Sequence, residues 1–327
     1  MSRWFGRAAV LLGGCILLVS QTRAPLGALL ALGGAVGPLR RAYRAASGTA
    51  LRPMVIWAMV AVGLGMVAEV VGLGESWESG RPWAGHWAYG SGLAAVAALL
   101  SAFNARRPGA GAWAFLMAAL VVVLLIPWLE NSGLSARVDP WERLRLGAPW
   151  SWFLGALSIA ALSNYVPTRF APAAFAGIAA LGSMFWGLTA TGPSHALRGI
   201  AWTGGPWALA ATIVVAEGCA GRRRSPPTGL ERAWLWFRDH WGVVWGLRVA
   251  ERFNESARAL GWPSRLTWHG LVATSGAGPV PAEAEALFVS LLRRFADADR
   301  VEAEARTPRH GAGAPLGPSE TGPDLAR

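Results

Sequence analysis

The chain has 327 residues, 53 % of them hydrophobic and only 15 % charged, and its mean hydropathy is positive; so apolar a composition points to lipid as the solvent. The net charge of +11 belongs wholly to the part before Pro227, where 18 Arg face 7 acidic residues, while the remainder balances 12 Arg against 12 acids. Positive charge confined to loops between apolar segments serves orientation and argues against a nucleic-acid surface, and with every one of the thirty basic residues an Arg, a catalytic lysine is excluded.

A helix needs roughly 20 apolar residues to cross the hydrocarbon core. Two segments at the start, Trp4 to Ser20 and Ala24 to Leu39, are short and interrupted by the pairs Gly13, Gly14 and Gly33, Gly34. They read as two tight spans or as one re-entrant hairpin, and either way the chain returns to its starting side. The first resembles a secretory signal, but the sequence after it stays apolar, so an uncleaved span is expected. Leu12-Gly13-Gly14-Cys15 has the look of a lipidation box, yet only five apolar residues precede it, and Cys15 and Cys219 read as small hydrophobes.

Six further segments meet or approach spanning length: Pro53 to Leu73, Trp87 to Phe103, Ala112 to Leu129, Pro149 to Tyr165, Ala171 to Ala190 and Gly199 to Cys219. With the N-terminus inside, the inner loops collect twelve Arg, among them Arg40, Arg41, Arg44, Arg106, Arg107, Arg169 and Arg222 to Arg224, and the outer loops six. Basic residues accumulate on the cytoplasmic side, so both termini are expected there. Intramembrane charges are few. Glu69 near an outer end and Glu217 near an inner end are expected to reach headgroups and water, Asn164 stands at an inner end beside Pro167, and no mid-span charge pair marks an ion path. The Gly33 to Gly37 spacing predicts close helix packing.

The expected outer face is rich in tryptophan: Trp77, Trp83, Trp87, Trp128, Trp141, Trp150, Trp152, Trp202 and Trp207 lie in or beside its loops. An aromatic belt accounts for most of them. The stretch Glu75 to Tyr89 is denser than a belt needs and surrounds His86, and the same topology places His195 outward. Two such imidazoles among indoles suit axial ligation of a haem, while the plainer reading makes both ordinary loop residues. Asp139-Pro140-Trp141-Glu142 and the neighbouring Arg137, Arg143 and Arg145 read as solvated ion pairs. No nucleophile elbow, zinc-protease motif, phosphate loop or C-x-x-C pair occurs, so no catalytic residue and no metal site are assigned.

After Pro226-Pro227 the pattern becomes that of a soluble module. Thr228 and Glu231 form a capping box, and a helix is expected to run to about Leu260 and stop at Gly261. Leu230, Trp234, Phe237, Trp241, Val244 and Trp245 fall on one face, with Glu231, Arg238, Asp239, Arg248, Arg252 and Glu255 over the rest. A second helix starts at Pro281 and carries Ala284, Leu287, Phe288, Leu291, Leu292 and Phe295 on a stripe. The two stripes are expected to bury each other; a helix on the inner membrane surface, or a protein partner on the Trp234, Trp241 and Trp245 face, are the competing readings. Between them, residues 262–271 offer one strand. His240 and His269 read as structural.

The expected fold class is therefore all-α: a polytopic helical membrane bundle over residues 1–221, with about eight transmembrane segments of which the first two are short, then a small helical cytoplasmic domain over 228–304. Residues 305–327, rich in Gly, Pro and Ala, read as disordered. The functional expectation is a non-enzymatic scaffold or assembly factor of the cell membrane. A transporter or channel for an uncharged or lipidic substrate, and a haem-handling protein using His86 and His195, are the alternatives.

Overall fold

The computed structural model describes residues 2–19, 23–74, 82–103, 110–131, 144, 146–189, 195–221, 229–273 and 280–305. The chain is predominantly helical. Among the described residues, nine helices precede the tail: α1 (Ser2–Val19), α2 (Ala24–Ala45), α3 (Arg52–Gly74), α4 (Pro82–Ser101), α5 (Ala110–Leu124), α6 (Ile126–Glu130), α7 (Ala148–Ser163), α8 (Ala171–Gly187) and α9 (His195–Gly221). The tail adds α10 (Gly229–Ala259), strands β1 (Ser264–Thr267) and β2 (Gly270–Ala273), α11 (Ala282–Leu292) and α12 (Ala298–Ala305). The acidic outer loop at residues 139–142, the Arg222 to Arg224 run, Thr228 of the capping box and residues 306–327 lie outside the described residues.

The two short segments at the start are complete helices of 18 and 22 residues, about 27 and 33 Å long at 1.5 Å per residue. They pair through glycine, but not through the expected one. A Cβ at Gly33 would meet nothing, whereas a Cβ at Gly27 would lie 2.7 Å from the Gly13 carbonyl oxygen and one at Gly6 2.9 Å from that of Gly34. Gly6 and Gly13 on α1 thus face Gly34 and Gly27 on α2, a seven-residue spacing on both helices that brings the backbones together. The expected segment Ala112 to Leu129 is split at Leu125, because Pro127 cannot continue the hydrogen-bond ladder.

Among the described residues, α3 alone is both long and apolar enough to cross a membrane, and only 28 % of its apolar stretch is buried. α2, α4 and α9 have the length but dilute their hydropathy with Gly and with polar or charged residues such as Arg40, Arg41, His86, Arg198 and Glu217. The difference follows from position. α2 packs between α3 and α9, α3 on α4, α4 on α8 and α8 on α9. These five close into a ring, and their small residues are buried where the helices meet: Ala28, Ala31, Ala35, Ala61, Ala174, Ala180 and Ala210. Large apolar side chains point outward instead, including Leu11 on α1, Val70 on α3, Phe115 and Val122 on α5, Trp152 and Ile159 on α7, and Phe175 and Trp186 on α8.

The tail does not stand apart from these helices. One continuous core runs from Leu51, Tyr89, Leu154 and Phe185 to Trp234, Phe237, Trp241, Phe288 and Phe295. The tail docks where α2, α4 and α7 end and α3 and α8 begin. Ala50 N–H donates to Phe295 O (2.8 Å), Asp297 N–H to Gly48 O (2.7 Å) and Val243 N–H to Asn164 O (2.9 Å). The Trp245 indole donates to Ala102 O (3.0 Å) and that of Trp268 to Pro167 O (3.2 Å). All these helix ends therefore share one face of the molecule.

Inside the tail, α10 is broken at Gly242, which has φ 77° and ψ −165°. The break rotates its second half, so Val244, expected on the buried stripe, is exposed; in the first half Arg238 and Asp239, expected on the solvated side, are both 2 % exposed, paired with each other and with Arg169. Residues 262–271 form most of a two-stranded antiparallel hairpin rather than one strand, with Arg265 opposite Val272. Asn254 of α10 fixes it, accepting from Leu266 N–H (2.8 Å) and donating to Leu266 O (2.9 Å). Phe295, expected at the end of the second tail helix, lies in the turn before α12, a helix that the sequence pattern did not announce.

Candidate functional site

The ring of α2, α3, α4, α8 and α9 does not pack to its centre. A cavity of about 490 Å³ lies in the half nearest the tail, within the range of about 300–1,000 Å³ usual for small-molecule sites. Its walls are alanine, leucine and glycine: Ala58 and Ala61 of α3, Ala95 and Ala98 of α4, Gly177 of α8 and Ala216 of α9 are representative. Small residues account for the space, since helices held apart by their other neighbours leave a gap that a methyl group cannot fill. Trp236, His240 and Trp241 of α10 and Arg300 of α12 close it from the tail side.

Polar groups gather only toward that closed end. Arg41 Nε lies 2.6 Å from Glu217 Oε1, joining α2 to α9 with both side chains mostly buried. This pairing sharpens the sequence reading of Glu217, which was expected to reach water. Tyr165 donates to His240 O (3.4 Å). His240 Nδ1 lies 2.7 Å from Trp236 O one turn earlier, which places a proton on Nδ1 and leaves Nε2 as acceptor in the neutral ring.

His240 is held well below the ordinary histidine range, at about 4. Burial is the main cause and the nearby Arg169 guanidinium the next; the bond to Trp236 O and the Asp239 carboxylate oppose them, and Arg300 adds to the depression. Asp239 is shared by two arginines, Arg238 Nη2 at 2.6 Å and Arg169 Nε at 3.4 Å. Arg238 also donates to Trp268 O (2.8 Å) and lies over the Trp268 ring. Burial acts against the charge on Arg169 and Asp239 restores it. Buried ions survive in this way, by mutual pairing.

At the opposite end His86 is buried, its Nε2 3.1 Å from Asn131 O, with ring centroids 5.8 Å from Trp83 and 6.4 Å from Trp128. Trp128 also meets Trp87 edge-on. Trp83, His86 and Trp87 of the dense aromatic stretch thus gather with Trp128 between α4 and α6, while Trp77 lies outside the described residues. His195 opens α9, and its side chain lies outside the described residues. Glu69 is 2 % exposed, buried beneath the same end rather than reaching water.

The aromatic face offered to a partner is filled by the chain itself. Trp234 and Trp241 are 1 % and 0 % exposed; Phe288 packs on Trp234, and Phe295 on Phe237, Trp241 and Trp245. Sequence reasoning missed the cavity and the residues at its mouth. A carboxylate such as Glu217 in an apolar helix needs a cation, a signal that could have led to Arg41, three residues past Pro38 on the only preceding helix to end in three arginines. Nothing in the sequence pointed to Arg300.

No protein-family model, no curated protein and no solved structure matches the chain.

Proposed function

We propose that the chain is a multi-pass protein of the cytoplasmic membrane, with about eight crossings and both termini inside, whose bundle binds an uncharged-tailed, lipidic molecule in the cavity under the tail. The cavity of about 490 Å³ carries this reading: large, lined by small apolar side chains and polar at one end only, it suits a molecule with a hydrocarbon body. The outward-facing side chains of α1, α3, α5, α7 and α8 support the membrane setting, because a surface of exposed Phe, Val, Ile and Trp is stable in lipid and aggregates in water. The role is binding, with transport across the bilayer as its natural extension. A scaffold would need a free docking face, and the aromatic one is occupied.

Two measurements test the reading. A reporter active only outside the cytoplasm should be silent when fused after Gly221 and active when fused after Gly74; the reverse pattern overturns the topology. Purified full-length protein in nanodiscs should bind a medium-chain amphiphile, and Ala98→Leu or Ala216→Leu, which place bulk in the cavity, should abolish that binding while leaving the melting temperature within a few degrees. Undiminished binding in both folded variants removes the cavity from the function.

A further inference from the structure

Two arginines reach the cavity with guanidinium nitrogens that bond to nothing. Arg41 on α2 spends Nε on Glu217, yet its Nη2 is buried without a hydrogen-bond partner. Arg300 on α12 spends Nη2 on Glu304 (3.2 Å) and lies over Trp236, yet its Nε is buried and equally unpartnered. Both residues line the same cavity. Buried N–H donors are ordinarily satisfied, and here two charged ones stay unpartnered on residues that line one space. Acceptors within the chain are already committed nearby. Glu217 holds Arg41, Glu304 holds Arg300, and Asp239 is divided between Arg238 and Arg169.

We infer that the cavity's ligand is an anionic amphiphile, whose phosphate or carboxylate head is gripped by Arg41 and Arg300 while its hydrocarbon chain runs among Ala58, Ala61, Ala95 and Ala98 toward the bilayer midplane. Arginine suits this task because its planar fork offers parallel donors to two oxygens of one anion. The site joins a helix of the bundle to a helix of the tail, so the bound head would bridge them. His240, neutral and with Nε2 as acceptor, adds no charge but can accept a hydrogen bond from a singly protonated phosphate. This inference rests on the lipid-binding reading above and names the ligand's headgroup class.

The test uses full-length protein in nanodiscs of zwitterionic lipid and five probes: dodecyl phosphate, laurate, the zwitterionic dodecylphosphocholine, neutral monolaurin and inorganic phosphate. The two anionic amphiphiles should bind at least about tenfold more tightly than monolaurin, the factor expected for one charge-assisted contact. Arg300→Gln should remove that advantage and leave monolaurin binding unchanged within twofold. The paired change Arg41→Gln with Glu217→Gln should do the same; it deletes both partners of the ion pair, so the fold is spared an orphaned charge. Equal affinity for monolaurin, or anionic binding untouched in both variants, overturns the headgroup assignment and leaves the lipid-binding reading standing. Inorganic phosphate binding as tightly as dodecyl phosphate overturns the amphiphile, showing a free-anion site. If no amphiphile binds, or binding ignores Ala98→Leu, the cavity reading itself fails.

Discussion

Asn164 occupies the space that any side chain at Gly242 would need. Its Nδ2 donates to Trp241 O (3.1 Å) on one side of the break in α10, and its Oδ1 accepts from Val244 N–H (3.0 Å) on the other. One amide thereby caps the C-terminal end of the first half-helix and the N-terminal end of the second, the two places where a helix leaves backbone groups unsatisfied. Its own carbonyl accepts from Val243 N–H.

Asn164→Ala should therefore cost about 1–3 kcal/mol, since it strands a buried carbonyl and a buried N–H together. Gly242→Ala should cost at least about 1 kcal/mol, because its φ of 77° is unfavourable for a residue with a Cβ and Asn164 blocks the way. In both variants limited proteolysis should cut the tail sooner. Wild-type resistance in Asn164→Ala would mean that the docking does not depend on this cap.

Trp245 tests the second anchor. Trp245→Phe keeps an aromatic ring near Phe295 but loses the indole donor to Ala102 O, which should cost about 1 kcal/mol. Trp245→Ala should cost about 3–5 kcal/mol by truncating the packing as well. Thermal unfolding of the two side by side separates the hydrogen bond from the ring; equal losses would show that the bond carries the whole effect.

The glycines of α1 and α2 should respond unequally. Gly27→Leu drives a side chain into the Gly13 backbone and the Ile16 side chain and should destabilise by about 1–3 kcal/mol or more. Gly33→Leu points into open space and should be neutral or slightly stabilising, leucine being the better helix former. Comparable damage from both would mean that another surface covers Gly33.

Acid should loosen the tail through His240. Its pKa is near 6.5 in an unfolded chain and about 4 in the fold. Between those values the unfolded chain binds the extra proton, so the contribution is fully present above about pH 6.5 and is lost as pH falls through about 4. The groups facing the ring are Arg169, Arg300, Asp239 and the Trp236 carbonyl, with Phe170 against its edge. Melting temperature should fall steadily from pH 6.5 to 4.5, and His240→Gln should flatten that slope. An unchanged slope in the variant assigns the acid sensitivity to other groups.

The helices of the bundle were legible because each is bounded by chemistry that acts locally. Pro149, Pro172 and Pro25 stand in first turns, Arg and turn residues close the segments, and Pro281 precedes α11. The break in α10 was not legible. Leu230 to Trp245 keeps helical spacing straight through Gly242, and only Asn164, about eighty residues earlier, makes the glycine a hinge. Arg238 and Asp239 misled for a related reason: charge predicts exposure unless a third group, here Arg169 in the α7–α8 turn, gives the pair a buried home. The cavity was least legible of all. Alanines at Ala58, Ala61, Ala95 and Ala98 signal close packing when read along one helix, and they mark a void only when five helices are arranged around them.

The docking of the tail also bears on the order in which the protein can be completed. The anchors that α10, the hairpin turn and the turn before α12 use, among them Gly48, Ala50, Ala102, Asn164 and Pro167, are synthesised before residue 229. A chain halted at that point has its helices but not the wall made by Trp236, Trp241 and Arg300, and the Arg41–Glu217 pair is then uncovered. A segment made after the helices is thus the one that walls the cavity, so a translation pause or a truncation there would change the accessibility of the cavity before it changed the helical bundle.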